Sequence, residues 1–316
     1  MKIIFMGTPA CAADVLSSLL TAGKNVIAVI SRPDKPRGRG LKVQGSKVSG
    51  LAEEHNIAVY KPENVKDSQF LKEISGLKPD LIIVVAYGKI LPKEFIDIPK
   101  YGCINVHASL LPKYRGASPI QSALLNGDKE TGITIMKINE KLDAGDIIAQ
   151  KKIKVYENDN AGSLSDRLFK AGAELLSDVL NDIDRVKGQG SRVQDESSVS
   201  YAKSIKKSDG TIDFSKPAEE IRNMIRAFTP WPGAMCKYNG KTIKLIECRG
   251  ESRFALPNDA HPLPGQIIDI IKNEGFVVST GEGSILILEI QPENSKKMSA
   301  EEFVRGYRIK SGDIFT

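Results

Sequence analysis

The stretch LIIVVA, Leu81 to Ala86, is apolar at every position and β-branched at four of its six residues. A strand with one face in water alternates apolar and polar residues. A strand buried on both faces does not, so this run belongs inside a parallel sheet covered on both sides. Runs of the same kind precede it, KIIFM (2–6), NVIAVI (25–30) and IAVY (57–60), and the segments between them, Ala10–Leu20, Val48–His55 and Val65–Ser75, carry helical spacing. Strands alternating with helices define the α/β class and a doubly wound, Rossmann-like parallel sheet. After LIIVVA come GCINVH (102–107), a short helix at Pro119–Leu125, two strands, GITIMKI (132–138) and DIIAQKKIKV (146–155), and a long helix at Leu164–Val186. The expected first domain is residues 1–187.

Residues 188–207 are rich in Gly, Ser, Gln and charge and hold no helical period, so they read as a linker. Residues 208–316 differ in kind. A helix at Pro217–Ala227 is followed by β-like runs, AMCKYNGKTIKLIEC (234–248), GQIIDII (265–271), GFVVST (275–280) and SILILEI (284–290), the first folded at an Asn-Gly turn. The expectation is a small antiparallel β-barrel of the OB-like type.

Composition is that of an ordinary globular chain: 316 residues, 41% hydrophobic and 27% charged. Such a chain buries a sizeable core, and disorder is excluded as a default. No apolar run reaches the roughly 18 residues that span a bilayer, and the start, MKIIFMGTP, reads as a strand and not as a secretory leader. A cytoplasmic protein is expected. Cys11, Cys103, Cys236 and Cys248 form no CxxC pair, and His55, His107 and His261 fall in no metal-ligand spacing. Reduced thiols and no metal are expected.

The net charge of +6 is unevenly placed. Ser31 to Ser49, SRPDKPRGRGLKVQGSKVS, carries Arg32, Lys35, Arg37, Arg39, Lys42 and Lys47 against the single acid Asp34, a balance of +5. Nearly all the excess sits in one segment, whose glycines and prolines suggest a mobile loop. Polyanion binding is the reading this concentration supports over a merely solvated face.

The first strand and turn, IIFMGTPACA, invite a dinucleotide site, but Gly7 is followed by Thr8 and Pro9. A pyrophosphate loop needs glycines for close approach, and a proline removes an N–H donor. GxxxxGK[ST] and GxSxG are absent, which disfavours a nucleotide hydrolase and a serine hydrolase.

In GCINVH, strand alternation turns Cys103, Asn105 and His107 to one face, with Asn105 and His107 roughly 6–7 Å apart. Ligands of open α/β sheets bind beyond the carboxyl ends of the strands. A carboxamide donor beside an imidazole there is equipment for holding an oxyanion during acyl transfer, and a carboxylate would orient the ring. KLDAGDII supplies two, Asp143 and Asp146, and spacing alone does not choose between them.

Taken together, GCINVHASLLPKYRGASPIQSALLNGDKETGITIMKINEKLDAGDII, VVAYGKILP (84–92) and RAFTPWPGA (226–234) resemble the methionyl-tRNA formyltransferases over essentially the whole chain. The Asn-x-His-x-Ser-Leu-Leu-Pro core with LDAGD is shared by the wider group that uses 10-formyltetrahydrofolate. The basic segment RPDKPRGRG and the FTPWPGA junction narrow the resemblance. It implies transfer of a formyl group from 10-formyltetrahydrofolate to the α-amine of methionine on initiator methionyl-tRNA, without a metal. It places the catalytic trio on Asn105, His107 and Asp143, so choosing Asp143 over Asp146. It places folate contacts on Ser109, Leu110, Leu111 and Pro112. The basic segment would then meet the tRNA, with Arg39, flanked by Gly38 and Gly40, ranked first, then Arg37 and Lys42, and the barrel would help to bind it.

Two other readings remain. One is another folate-dependent formyltransferase or hydrolase, although the glycinamide ribonucleotide formyltransferases typically lack the barrel and carry a Gly-rich loop where this chain has Gly7-Thr8-Pro9. The other is a nucleic-acid-binding module without catalysis, which leaves Asn105 and His107 unexplained.

Overall fold

The computed structural model describes residues 1–37, 42–250 and 262–316. The chain forms two compact units, one of residues 1–119, 130–154 and 165–203, the other of residues 120–129, 155–164 and 204–316.

The first unit is built on a seven-stranded sheet in the order Ile147–Lys154, Glu130–Lys137, Cys103–His107, Leu81–Val85, Ile3–Gly7, Val26–Ile30, Ala58–Tyr60. The five strands from Cys103–His107 to Ala58–Tyr60 are parallel, and the last two in sequence add antiparallel at one edge. Every residue of Ile3–Gly7 and Leu81–Val85 is buried, as unbroken apolar runs require of central strands. Helices Ala10–Thr21, Lys47–Glu54 and Ser68–Gly76 connect the parallel strands. Ser46 and Asp67 cap two of them by accepting from the Ser49 and Phe70 amides.

The long helix expected at Leu164–Val186 is two, Ala161–Asn181 and Ile183–Lys187. Asp182 takes an extended backbone and caps the second through the amides of Asp184 and Arg185, so a residue that fits the helical pattern restarts the helix instead. The segment read as a linker at 188–207 is also structured in its first part. Arg192 bridges Ile147, Gln194 is buried, and Tyr201–Ala202 pairs in parallel with Arg115–Gly116. Its polar composition marks irregular backbone correctly, but Gln194 turns inward and bonds the Asp143 and Gly145 carbonyls.

The second unit holds an antiparallel sheet in the order Ala234–Tyr238, Lys241–Gly250, Ser284–Pro292, Gly275–Ser279, Ile267–Ile271, with Met298–Ser299 added on Ser284–Pro292. Asn239 and Gly240 both have positive φ, 48° and 76°, the geometry for which an Asn-Gly hairpin is chosen. The two outer strands are joined by the segment 312–316. Gly312 N donates to Ile267 O and Ile267 N to Asp313 O, while Thr316 and Lys237 exchange both backbone bonds, which closes the sheet into a barrel. Tyr238, Phe276, Phe303 and Phe315 fill its core, Phe276 stacked on Phe315 with centroids 5.6 Å apart. Among the described residues no helix is long and apolar enough to cross a membrane.

Candidate active site

From the central strand Ile3–Gly7 the chain proceeds to Val26–Ile30 and Ala58–Tyr60 on one side, then returns to Leu81–Val85 on the other. The register Gly7 to Val85 and Val84 to Asn105 brings the carboxyl ends of three neighbouring strands level. This is the switch point at which open α/β sheets hold their ligands. The loops leaving it contain non-glycine residues in the left-handed region, Ala86 (φ 48°) and Tyr114 (φ 61°), and Asp143 (φ 47°), in the loop between Glu130–Lys137 and Ile147–Lys154, is a third. Such backbone concentrates at functional sites. Thr8 and Tyr87 follow two of these strands, and each has a buried hydroxyl without a partner among the described residues.

Asn105 is half-buried, and among the described residues nothing hydrogen-bonds its carboxamide. A half-buried amide with both hydrogens unpaired is free to donate to a ligand. Cys103, on the same face but deeper, is buried, and burial pushes its thiol up to about 12, so it takes no part as a nucleophile.

His107 is 5% exposed, and both ring nitrogens face oxygens. Nε2 lies 3.0 Å from the Tyr114 carbonyl, which only accepts, so Nε2 carries a hydrogen and donates it. Nδ1 lies 3.6 Å from Asp143 Oδ2, in electrostatic contact but wider than a hydrogen bond. The sequence led us to expect two free donors side by side. The structure has one, Asn105, because the left-handed turn at Tyr114 brings a carbonyl to the imidazole.

Asp143 and Asp146 are treated differently by the fold. Asp143 Oδ2 accepts from Gly116 N at 2.8 Å as well as facing His107. Its carbonyl and that of Gly145 both accept from Gln194 Nε2, at 2.8 and 2.7 Å. Gln194 Oε1 accepts from Arg115 Nε at 3.0 Å, and Arg115 reaches on to Glu196 at 2.8 Å, holding that carboxyl below its ordinary range. Gly145 lies against the Lys137 carbonyl, where a Cβ would collide. The Asp146 carboxylate has no hydrogen-bond partner among the described residues; its backbone carbonyl accepts from Lys137 N. Further along the same sheet edge, the Lys137 ammonium is pulled below its usual value by burial, though Nζ donates to the carbonyls of Tyr101 and Val186.

The Ser109–Pro112 turn is held mostly from inside. Ser109 Oγ donates to Lys113 O at 2.6 Å, and Leu111 packs with Met136 and Ile147. Thr134 Oγ1 donates to Ser109 O at 2.6 Å and accepts from Leu111 N and Gln150 Nε2, which saturates a hydroxyl. Arg192 in turn donates to Gln150 Oε1. Of the four residues expected to meet folate, Ser109 and Leu111 are buried, while Leu110 and Pro112 remain partly exposed.

The basic segment is ordered where it is described. Lys35–Arg37 and Lys42–Gln44 form an antiparallel ladder with Arg37 opposite Lys42. This replaces the expected structureless loop at those residues, since the Gly-rich stretch is flanked by residues able to pair. Arg32 is spoken for, donating to the carbonyls of Tyr87 and Gly88 at 2.9 and 2.6 Å. Arg39 lies outside the described residues.

Sequence reasoning missed Arg115, Gln194, Thr134 and Gln150. Arg115 stood within the quoted motif, but nothing in its spacing distinguished it from a surface cation; buried at 2% exposure, it is not one.

Such a site on such a sheet is that of a group-transferring enzyme of the Rossmann-like type. Residues 1–180 match the model of the formyl transferase family and residues 204–308 that of the formyl transferase C-terminal domain. The chain belongs to the formyl transferase family. It is 46% identical to the methionyl-tRNA formyltransferase of Sulfurihydrogenibium sp. (strain YO3AOP1) over 100% of both chains, and 43% identical to that of Bacillus subtilis (strain 168) over 99% of this chain and 97% of the relative. Among solved structures it shares its fold with HypX from Aquifex aeolicus in complex with tetrahydrofolic acid, with a TM-score of 0.64 and 17% identity over 100% of this chain and 50% of that one. The sugar 3N-formyl transferase WlaRD shares it too, with a TM-score of 0.64 and 21% identity over 94% of this chain and 99% of that one.

Proposed function

We propose that this formyltransferase moves the formyl group of 10-formyltetrahydrofolate to the α-amine of methionine on initiator methionyl-tRNA, in the cytoplasm. The observation that carries the site is the open Asn105 carboxamide beside the His107–Asp143 contact at the switch point of the sheet. The full-length likeness to methionyl-tRNA formyltransferases supports the acceptor.

Esterified α-amines ionise below the roughly 8 of a free α-amine, so a useful fraction is neutral near pH 7 and no strong base is needed. The amine attacks the formyl carbon; the carbonyl oxygen becomes an oxyanion against the Asn105 amide, with the His107 Nε2–H shared between it and the Tyr114 carbonyl. Asp143 orients the imidazole and helps take the amine's proton. The bond to folate N10 then breaks, and N10 leaves with a proton, giving tetrahydrofolate. Leu110 and Pro112 are the parts of the Ser109–Pro112 turn open to the folate, and Ser109 and Leu111 shape it from within. The catalytic functions lie in residues 1–187, tRNA binding in the basic segment and in residues 208–316.

The test is transfer from formyl-labelled 10-formyltetrahydrofolate to charged initiator tRNA, beside an amino sugar nucleotide and free methionine. Preferential labelling of the tRNA is expected. Labelling of the sugar alone would overturn the acceptor, and no transfer to any amine would overturn the reaction.

A further inference from the structure

Asp143 sits in left-handed backbone (φ 47°), in neither helix nor strand, so no ladder holds it where it meets His107. Among the described residues, the side chain that bonds its backbone is that of Gln194. The two amide hydrogens of Gln194 go to the Asp143 and Gly145 carbonyls, and its oxygen accepts from Arg115, so both donors of a buried amide are spent on this loop and its oxygen on the brace. Arg115 only donates, which fixes the amide's orientation: the oxygen faces the guanidinium and the nitrogen faces the two carbonyls. The brace is doubly tied. The residue after Arg115, Gly116, gives its N–H to the Asp143 carboxylate, and the Arg115–Gly116 strand is itself held by Tyr201–Ala202. The segment 192–202 thus grips the Asp143 loop at its backbone and the donor to its carboxylate at once.

We infer that Gln194, oriented by Arg115, is a positioning residue for formyl transfer: it acts on the reaction through Asp143 by fixing that residue's backbone, and hence its carboxylate, against His107. This rests on the reading of Asp143 as catalytic. Misplacement of a catalytic group by about an ångström costs on the order of 10²-fold in rate, so a hydrogen bond to a catalytic residue's backbone is enough to matter.

The discriminating substitution is Gln194→Glu, which keeps size and the Arg115 interaction but exchanges the N–H donors for an oxygen facing two carbonyls. Its kcat for formyl transfer to methionyl-tRNA is expected to fall at least tenfold, with the KM for 10-formyltetrahydrofolate within threefold of wild type and a cooperative melt retained. The decisive measurement is a cycle with Asp143→Asn by single-turnover kinetics. Acting through Asp143, Gln194→Glu should change the already slow rate of Asp143→Asn by less than threefold; a generally structural role would lower it by a similar factor in both backgrounds. Should Gln194→Glu not fold, Gln194→Met takes its place in the same cycle. A loss below tenfold in the wild-type background, or a further loss of threefold or more in the Asp143→Asn background, overturns the inference. A fully active Asp143→Asn would overturn the catalytic reading of Asp143 and this inference with it, whereas a crippled Asp143→Asn beside a harmless Gln194→Glu overturns this inference alone.

Discussion

Two polar regions of the first unit are built on opposite plans. Around Asn105, His107 and Asp143, polar groups are interlocked, the buried Thr134, Arg115 and Gln194, the partly buried Gln150 and the exposed Arg192 each giving or taking bonds within the protein. In the Lys35–Arg37 and Lys42–Gln44 ladder, Lys35, Pro36, Val43 and Gln44 are exposed. Its base is tied down through Arg32 to Tyr87 and Gly88, through Asp34 to Lys61 and through Ser31 to Ser46. Chemistry needs atoms placed to within about half an ångström, which buried networks supply. Attraction to a polyanion works through charge over several ångströms and needs no such fixing.

The contrast is tested most sharply at its centre. Asn105→Ala and His107→Ala are each expected to lower turnover by about 10² or more, with folate affinity nearly unchanged, because in the proposed mechanism these groups act most strongly on the oxyanion. Steady-state kinetics and titration with a folate analogue check both halves. Variants within threefold of wild-type turnover would remove the oxyanion assignment and leave the interlocked region as mere scaffolding.

The two aspartates give the next comparison. Asp143→Asn should lose about 10² in kcat, while Asp146→Asn, whose carboxylate has no bonded partner among the described residues, should stay within about threefold. The reverse order would show that proximity to His107 does not mark the carboxylate the reaction uses. A smaller effect, on stability, is expected from Thr134→Val. The hydroxyl's three bonds vanish, leaving the Ser109 carbonyl and Leu111 amide short of partners in a buried turn, at a cost of about 1–3 kcal/mol. Chemical denaturation should show it as a lowered midpoint at constant slope, and an unchanged midpoint would mean the turn is held by packing alone.

What the sequence disclosed divides along the same line. The sheet was legible because its signal is local: LIIVVA and KIIFM are apolar throughout, and Asn105 and His107 share a face by strand alternation alone. Asn-Gly at 239–240 announced its hairpin for the same reason. The brace was not legible, since Gln194 bonds backbone carbonyls 51 and 49 residues away, and a carbonyl leaves no mark in a sequence. The Tyr114 carbonyl that takes the His107 hydrogen was invisible on the same ground. Composition also misread residues 188–207, because Gly, Ser and Gln mark irregular backbone whether it hangs in solvent or straps a loop. Closure of the barrel by residues 312–316 was hidden because so short a segment carries no strand period of its own.

The smallest effect, and the one that tests the exposed half of the comparison, belongs to the basic segment. Its balance of +5 holds most of the net charge of +6, so it should dominate attraction to a polyanion whatever its detailed geometry. Arg32 is committed to two carbonyls, and of the other five cations Arg37, Arg39 and Lys42 are the residues to test first. Each cation that meets a phosphate displaces counterions, so its removal should lower the slope of log K against log salt by up to about one unit. The Arg37→Ala/Arg39→Ala variant is expected to raise the KM for methionyl-tRNA several-fold at low salt while kcat and folate affinity hold, because the bonds of the interlocked region run between other residues. Binding measured at two or more salt concentrations separates the charge of these side chains from their shape: a shallower salt slope marks phosphate binding, and a parallel shift marks a specific, uncharged interaction with the tRNA. An unchanged KM for tRNA would place the acceptor's binding surface elsewhere and leave the charge of this segment without a ligand.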